Sequence, residues 1–131
     1  MKEKETGVRR PEPEALADFC LKCVADKLAQ NPVKLKVSPQ SSVADWYVIA
    51  TANSEPQLKA LIGHLERQVR EVCRLRPLSE NGESASGWML IDFGTVLVHI
   101  MTPEVRDRYN LEGLWGENPA PEALKQLLGA E

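Results

Sequence analysis

Apolar residues recur along the chain with two different spacings, and the spacing predicts the elements of the first half. Helical spacing predicts a helix over 14–30, which Asn31 and Pro32 end. The stretch "VKLKV" (33–37) alternates with a period of two, which predicts a short strand with one solvated face. The stretch "DWYVIATA" (45–52) is rich in β-branched and aromatic residues, which is typical of a buried central strand.

The second half predicts a helix, a hairpin and a final helix. Ser54 as N-cap and Pro56 in the first turn predict a helix that runs to about Cys73. "RLRPL" (74–78) predicts an edge strand, and "SENGESASG" (79–87) predicts a loop. A hairpin then turns at Gly94, and "PEALKQLLGAE" closes the chain as an amphipathic segment. The order α-β-β-α-β-β-β-α predicts an α/β (α+β) fold in which helices pack on a single mixed sheet of about five strands.

The hairpin "GWMLIDFGTVLVHIM" (87–101) has two apolar faces, although a small sheet usually shows one face to water. Either register at Gly94 gives the same partition of side chains. The uniformly apolar set is predicted to face the core: Met89, Ile91, Phe93, Val96, Val98 and Ile100. The mixed set forms the other face: Trp88, Leu90, Asp92, Leu97, His99 and Met101. This second face is predicted to be covered either by a helix of the same chain or by a partner.

The segment after the hairpin favours the partner. "RDRYNLEGLW" (106–115) places aromatic and large apolar side chains beside two arginines, which is typical of an interface. Leu111 and Leu114 are predicted to close the core. The second face of the hairpin is therefore predicted to be left open for a partner, with Trp88 at its head.

Length and charge limit the class of protein. The 131 residues fit one domain, predicted as a flexible leader (1–12), an α/β domain (13–116) and a C-terminal tail with a short helix (117–131). A net charge of -3 argues against a free nucleic-acid binder. No apolar run approaches a membrane span, and the N-terminus lacks a secretory apolar segment, so we expect a cytoplasmic protein without membrane contact.

The candidates for catalysis or metal binding are weak. "CLKC" (20–23) lies inside a helical pattern, so Cys20 and Cys23 are predicted as small apolar side chains rather than as a redox pair or zinc ligands. Asp92 and His99 share a hairpin face, but no nucleophile has a recognisable setting near them. No Gly-rich phosphate loop or acidic metal cluster occurs. We therefore predict no catalytic residue, no metal and no cofactor.

Residues 87–115 closely resemble the signature of the ribosomal silencing factor family, also called Iojap-like or RsfS proteins. That signature runs from a Trp through Asp-aromatic-Gly and Val-His to Arg-x-x-Tyr-x-Leu-Glu-x-Leu-Trp. The matching residues are Trp88, Asp92, Phe93, Gly94, Val98, His99, Arg106, Tyr109, Leu111, Glu112, Leu114 and Trp115. Upstream, "SSVADWYVIATANSEPQLKAL" resembles the family's Ser-Ser-hydrophobic-x-Asp segment, the strand after it and the Ser-x-x-Gln helix start. The match is strong over 40–115 and loose over 14–30.

The resemblance implies a fold related to nucleotidyltransferases without their catalytic carboxylates, and a function that is not enzymatic. Family members bind the fourteenth protein of the large ribosomal subunit and block joining of the small subunit, which lowers translation in starvation. Some relatives form homodimers.

The resemblance also assigns partner-binding roles residue by residue. Trp88 and Tyr109 become aromatic anchors, while Leu90 and Met101 supply apolar area. Arg106 and Glu112 become polar partners or orient the helix, and His99 becomes a hydrogen-bonding group at the rim.

Two other functions stay open at this point. The chain could be a nucleotide-handling enzyme that retains the activity of the parent fold, or a homodimeric scaffold with no role on the ribosome. Metal-dependent nucleotide turnover that Asp92→Asn abolishes would favour the enzyme. Dimers in solution without ribosome binding would favour the scaffold.

Overall fold

Three helices and five strands make up the computed structural model, which describes residues 11–38 and 44–111. The helices are α1 (Pro13–Asp26), α2 (Glu55–Cys73) and α3 (Pro103–Tyr109). The strands are β1 (Gln30–Lys36), β2 (Trp46–Thr51), β3 (Ser79–Glu83), β4 (Trp88–Asp92) and β5 (Val96–Met101). Residues 1–10, which make up most of the predicted leader, lie outside the described residues. The same holds for the predicted tail helix and for Glu112, Leu114 and Trp115.

The strands form one mixed sheet in the order β1-β2-β5-β4-β3. β2 and β5 run parallel, and the remaining neighbours are antiparallel. Every residue of β5 is buried because it has a strand on each side and packed side chains on both faces. The mixed α+β sheet of about five strands is confirmed.

The predicted second helix and the hairpin are confirmed. Ser54 caps α2 by accepting a hydrogen bond from the backbone N–H of Gln57 at 3.2 Å. The side chain of Gln57 accepts one from the backbone N–H of Asn53 at 2.7 Å, which satisfies a second donor at the helix start. In the hairpin, Gly94 lies in the middle of the loop between β4 and β5 at φ +98°, a conformation that favours glycine.

The prediction of a strand at 74–78 with a loop at 79–87 is wrong, because the strand β3 occupies Ser79–Glu83. Its side chains are all exposed, so it shows no apolar alternation. Backbone pairing with β4 alone defines it, and such pairing leaves no signal in hydrophobic periodicity. The first helix is also shorter than predicted, since it ends at Asp26 and β1 begins at Gln30.

The two faces of the sheet carry two separate apolar clusters. The first lies under α1 and α2 and contains the predicted core face of the hairpin, with Met89 partly buried at its margin. The second cluster lies on the opposite face and consists of Val37, Ala44, Tyr47, Ile49, Leu90, Leu97, Met101, Val105 and Leu111. The assignment of the first hairpin face to the core is therefore confirmed.

The prediction that the second hairpin face is left open is wrong for its centre. Leu97, His99 and Met101 are all buried. The physical reason is that the chain folds back directly after β5, where Thr102 caps α3 and Val105 packs onto the sheet. Among the described residues of this hairpin face, Trp88 and Asp92 stay half-buried at its margin, and so does Tyr109 of α3 beside them.

None of the described helices is long and apolar enough to cross a membrane. Within 11–38 and 44–111, His, Cys, Asp and Glu side chains form no group of three or more that could hold a metal ion.

Candidate partner-binding site

Four rings form a continuous row from the core to the surface on the second face of the sheet. We call them the aromatic row: Tyr47, His99, Trp88 and Tyr109. The ring centroids are 4.6 Å apart for Tyr47–His99, 5.9 Å for Trp88–His99 and 4.9 Å for Trp88–Tyr109. The first two rings are buried and the last two are half-buried. The two buried rings, Tyr47 and His99, therefore lie beneath the partly exposed pair, Trp88 and Tyr109.

The outer end of the row carries a positive charge. The guanidinium of Arg108 lies 6.0 Å from the ring centroid of Tyr109, within the range of a cation–π contact. We call Trp88, Tyr109 and Arg108 the aromatic patch. Trp, Tyr and Arg are the residue types most enriched among binding hot spots. Two of these three, Trp88 and Tyr109, are the aromatic anchors that the sequence predicts.

The other predicted site residues lie behind this patch. Met101 pairs with Trp88 across the β4–β5 ladder and is buried, and Leu90 is 8% exposed. His99 is fully buried, so its predicted place at the rim is wrong. The reason is the parallel pairing of β5 with β2, which puts His99 in the middle of the sheet. These side chains support the patch from below.

Arg106 ties α3 to the sheet. Its Nη1 donates a hydrogen bond to Thr51 Oγ1 at 2.8 Å and to the backbone oxygen of Gln30 at 3.4 Å. These acceptors lie at the end of β2 and the start of β1, beside a polar cleft of about 290 Å³. Of the two roles that the sequence leaves open for Arg106, the contacts support orientation of the helix.

His99 is held neutral and in one tautomer by its surroundings. Burial lowers the pKa of His99 to about 3. The indole Nε1–H of Trp88 donates to His99 Nδ1 at 3.2 Å. An indole nitrogen can only donate, so Nδ1 must be unprotonated and the ring proton must sit on Nε2. This Nε2 is buried without a hydrogen-bond partner among the described residues.

The buried histidine makes stability depend on pH. Because its pKa is lower in the folded protein than its ordinary value of 6.5, the unfolded chain takes up the proton first as the pH falls. Stability is therefore lost below about pH 6.5. Between pH 7 and pH 5 we expect the unfolding free energy to fall by about 2 kcal/mol more in the natural protein than in His99→Leu.

Urea denaturation of both proteins at each pH measures this difference. Burial and then the neighbouring Glu80 raise the pKa of Glu66 to about 7, an effect of opposite sign that both proteins share. The contribution of Glu66 therefore cancels when the natural protein is compared with His99→Leu. Identical pH dependence of the two proteins would contradict a neutral, buried His99.

The remaining polar candidates have structural roles. Asp92 Oδ1 accepts a hydrogen bond from the backbone N–H of Gly94 at 2.7 Å, which fixes the hairpin turn. Cys20 and Cys23 are buried in the first cluster, as packing side chains. Burial is also the main reason that the pKa of Cys23 rises to about 11, which keeps this thiol protonated near neutral pH.

Sequence reasoning missed two residues of the site. Tyr47 belongs to the aromatic row because parallel pairing sets it opposite Leu97, on the same face as His99. Only the strand order could reveal this. Gly87, at φ +86°, lets the chain enter β4 directly against α3. Its place immediately before Trp88 was the available signal.

Comparison with known proteins agrees with this architecture. A family model described as "Ribosomal silencing factor during starvation" matches residues 10–129. A protein of Halalkalibacterium halodurans named "Ribosomal silencing factor RsfS" is 34% identical over 110 residues, covering 83% of this chain and 92% of that protein. A crystal structure of a Chromobacterium violaceum protein superposes with a TM-score of 0.76 at 29% identity, covering 84% of this chain and 92% of that one.

A mouse relative is longer. The protein named "Mitochondrial assembly of ribosomal large subunit protein 1" is 29% identical over 112 residues. The match covers 84% of this chain, which spans about half, 49%, of the mouse protein.

The described residues define a small α+β fold with a partly exposed aromatic patch at the margin of the second sheet face. The chain belongs to the ribosomal silencing factor family. This is a family of ribosome-associated proteins with a translation-silencing role, and it is not a family of known enzymes.

Proposed function

We propose that this protein acts in the cytoplasm and binds the fourteenth protein of the large ribosomal subunit. Bound there, it blocks joining of the small subunit and so represses translation. Family membership supports the ribosome as partner. The name of the mouse relative points to the large subunit. The observation that carries the proposal is the pair of half-buried rings, Trp88 and Tyr109, whose centroids lie 4.9 Å apart over a packed core.

This pair suits a protein interface better than a nucleic-acid surface. The chain has a net charge of -3, so its overall charge does not favour attraction to phosphate. Desolvation of an aromatic pair beside an arginine stabilises binding to a protein surface of matching shape. A ribosomal protein that is exposed where the two subunits meet offers such a surface.

The inhibition follows from excluded volume. A folded domain docked on the subunit interface occupies space that the small subunit needs, so no chemical step is required. Asp92, the carboxylate considered for nucleotide turnover, instead accepts a hydrogen bond from Gly94 in the hairpin turn. A homodimer through the same patch would compete with ribosome binding and would make that binding depend on protein concentration.

Sucrose-gradient sedimentation with separated subunits tests the proposal. The protein should sediment with large subunits and remain at the top of the gradient with small subunits. Added before the subunits are mixed, it should lower the yield of joined ribosomes. Large subunits that lack the fourteenth protein should not retain it. Equal sedimentation with both subunits, or unchanged joining, would contradict the proposal.

A further inference from the structure

We infer that His99 is a positioning residue, which fixes the indole of Trp88 for docking without touching the partner. This inference rests on the proposed function. His99 is fully buried and therefore beyond the reach of a partner. Its influence must pass through a neighbour, and the hydrogen bond from Trp88 Nε1–H to His99 Nδ1, at 3.2 Å, provides that path.

The backbone makes this hydrogen bond possible. β4 and β5 pair Leu90 with His99 and Trp88 with Met101, so Trp88 and His99 are diagonal neighbours on one face. Diagonal neighbours are within reach only for large side chains. The ring of Tyr47 lies 4.6 Å from that of His99 and limits its rotation on the other side. His99 is thus a rigid acceptor at a fixed point below the indole.

A half-buried indole needs such an acceptor to keep a single orientation. Packing against Tyr109, at an interplanar angle of 43°, restricts the tilt of the Trp88 ring. It does not by itself choose which edge of the indole faces inward. The hydrogen bond makes that choice, because Nε1–H is the only strong donor of the side chain. The opposite edge is then presented outward, ready for a partner at a reduced entropic cost.

The state of His99 Nε2 supports a role beyond stability. This nitrogen carries a proton and is buried without a hydrogen-bond partner in the described part of the chain. A buried donor that stays unsatisfied weakens the fold, and an apolar side chain of similar volume would avoid the penalty. Histidine is therefore a costly residue here for stability, and within the described residues the hydrogen bond that compensates it comes from Trp88.

Two substitutions of His99 separate positioning from packing. Leucine nearly matches the volume of histidine but accepts no hydrogen bond. Asparagine is smaller and leaves a void, but its Oδ1 can occupy the place of Nδ1 and accept from the indole. We expect His99→Leu to be at least as stable as the natural protein at pH 7 and to bind large subunits about five- to tenfold more weakly. We expect His99→Asn to be less stable than His99→Leu and to bind more tightly.

The indole resonance reports the hydrogen bond directly. The chain has three tryptophans, so a ¹⁵N–¹H spectrum shows three indole signals, and Trp88→Phe assigns one of them to Trp88. That signal should move, and its hydrogen should exchange faster, in His99→Leu. Both changes should be smaller in His99→Asn. A merely structural role predicts instead that binding follows stability across the two variants.

The binding measurements distinguish failure of this inference from failure of the proposed function. If Trp88→Ala weakens binding and His99→Leu does not, the inference that His99 positions the indole is wrong. The assignment of Trp88 as an anchor would remain. An unmoved indole signal in His99→Leu also overturns the inference. If Trp88→Ala binds as well as the natural protein, the anchor and the inference both fall. If the natural protein does not bind large subunits, the proposed function falls with them.

Discussion

Trp88→Glu should abolish sedimentation with large subunits, with a loss of affinity on the order of a hundredfold or more. The substitution places a carboxylate where the proposed interface excludes water, and a buried charge without a partner costs several kcal/mol. It also removes one ring of the Trp88–Tyr109 pair. Sucrose gradients over a range of protein concentrations measure the loss.

The fold should survive this change, because Trp88 is half-buried at the margin of the second cluster. Val72→Glu is the matched control. Val72 is 59% exposed on α2, which packs on the opposite face of the sheet. This variant adds the same charge and should bind normally. Retention of Trp88→Glu in the large-subunit fraction, or equal loss with Val72→Glu, would contradict the assignment of the anchor.

The sequence predicts those elements whose buried face leaves a regular spacing of apolar residues. α2 buries one apolar stripe, and the β4–β5 hairpin carries one uninterrupted apolar face in the core, so the spacing of apolar residues reveals both. β3 has no buried side chain, and its position follows only from backbone pairing with β4. Strand order is likewise outside local pattern, since β5 inserts between β2 and β4.

The candidate site was predictable to a similar extent and for the same reason. Residue type and proximity in sequence single out Trp88 and Tyr109, which the structure brings together. The burial of His99 could not be deduced from the sequence, because it depends on β2 lying alongside β5. Alternation assigns a side chain to a face of a strand. It does not determine whether a later helix covers that face, as α3 does here.

Covering the face also explains why the patch is small and rigid. Val105 and Leu111 cover the centre of the second face, and in the described part of the chain its half-buried side chains lie at the margin. The position of that margin depends on how α3 is seated against β4. Besides the contacts of Val105 and Arg106, α3 is held at its start by Thr102, whose backbone N–H donates to the oxygen of Gly87 at 2.9 Å.

Gly87→Ala should lower the unfolding free energy by about 2–3 kcal/mol and weaken large-subunit binding as well. At φ +86°, a residue with a Cβ is strained, which costs about 1–2 kcal/mol. The added Cβ would lie 2.9 Å from Thr102 Oγ1 and 3.2 Å from Val105 Cγ2. Since Thr102 caps α3, its displacement costs about 1 kcal/mol more. Urea denaturation at pH 7 measures the total.

Gly63→Ala should change the unfolding free energy in the opposite direction from Gly87→Ala. Gly63 lies inside α2, and a Cβ added there meets no atom within 4 Å. Alanine favours the helix over glycine, so this variant should be more stable by about 0.5–1 kcal/mol. It lies on a helix of the opposite face and should bind large subunits normally. If Gly87→Ala were as stable as the natural protein, Gly87 would not seat α3, and the aromatic patch would owe its geometry to other contacts.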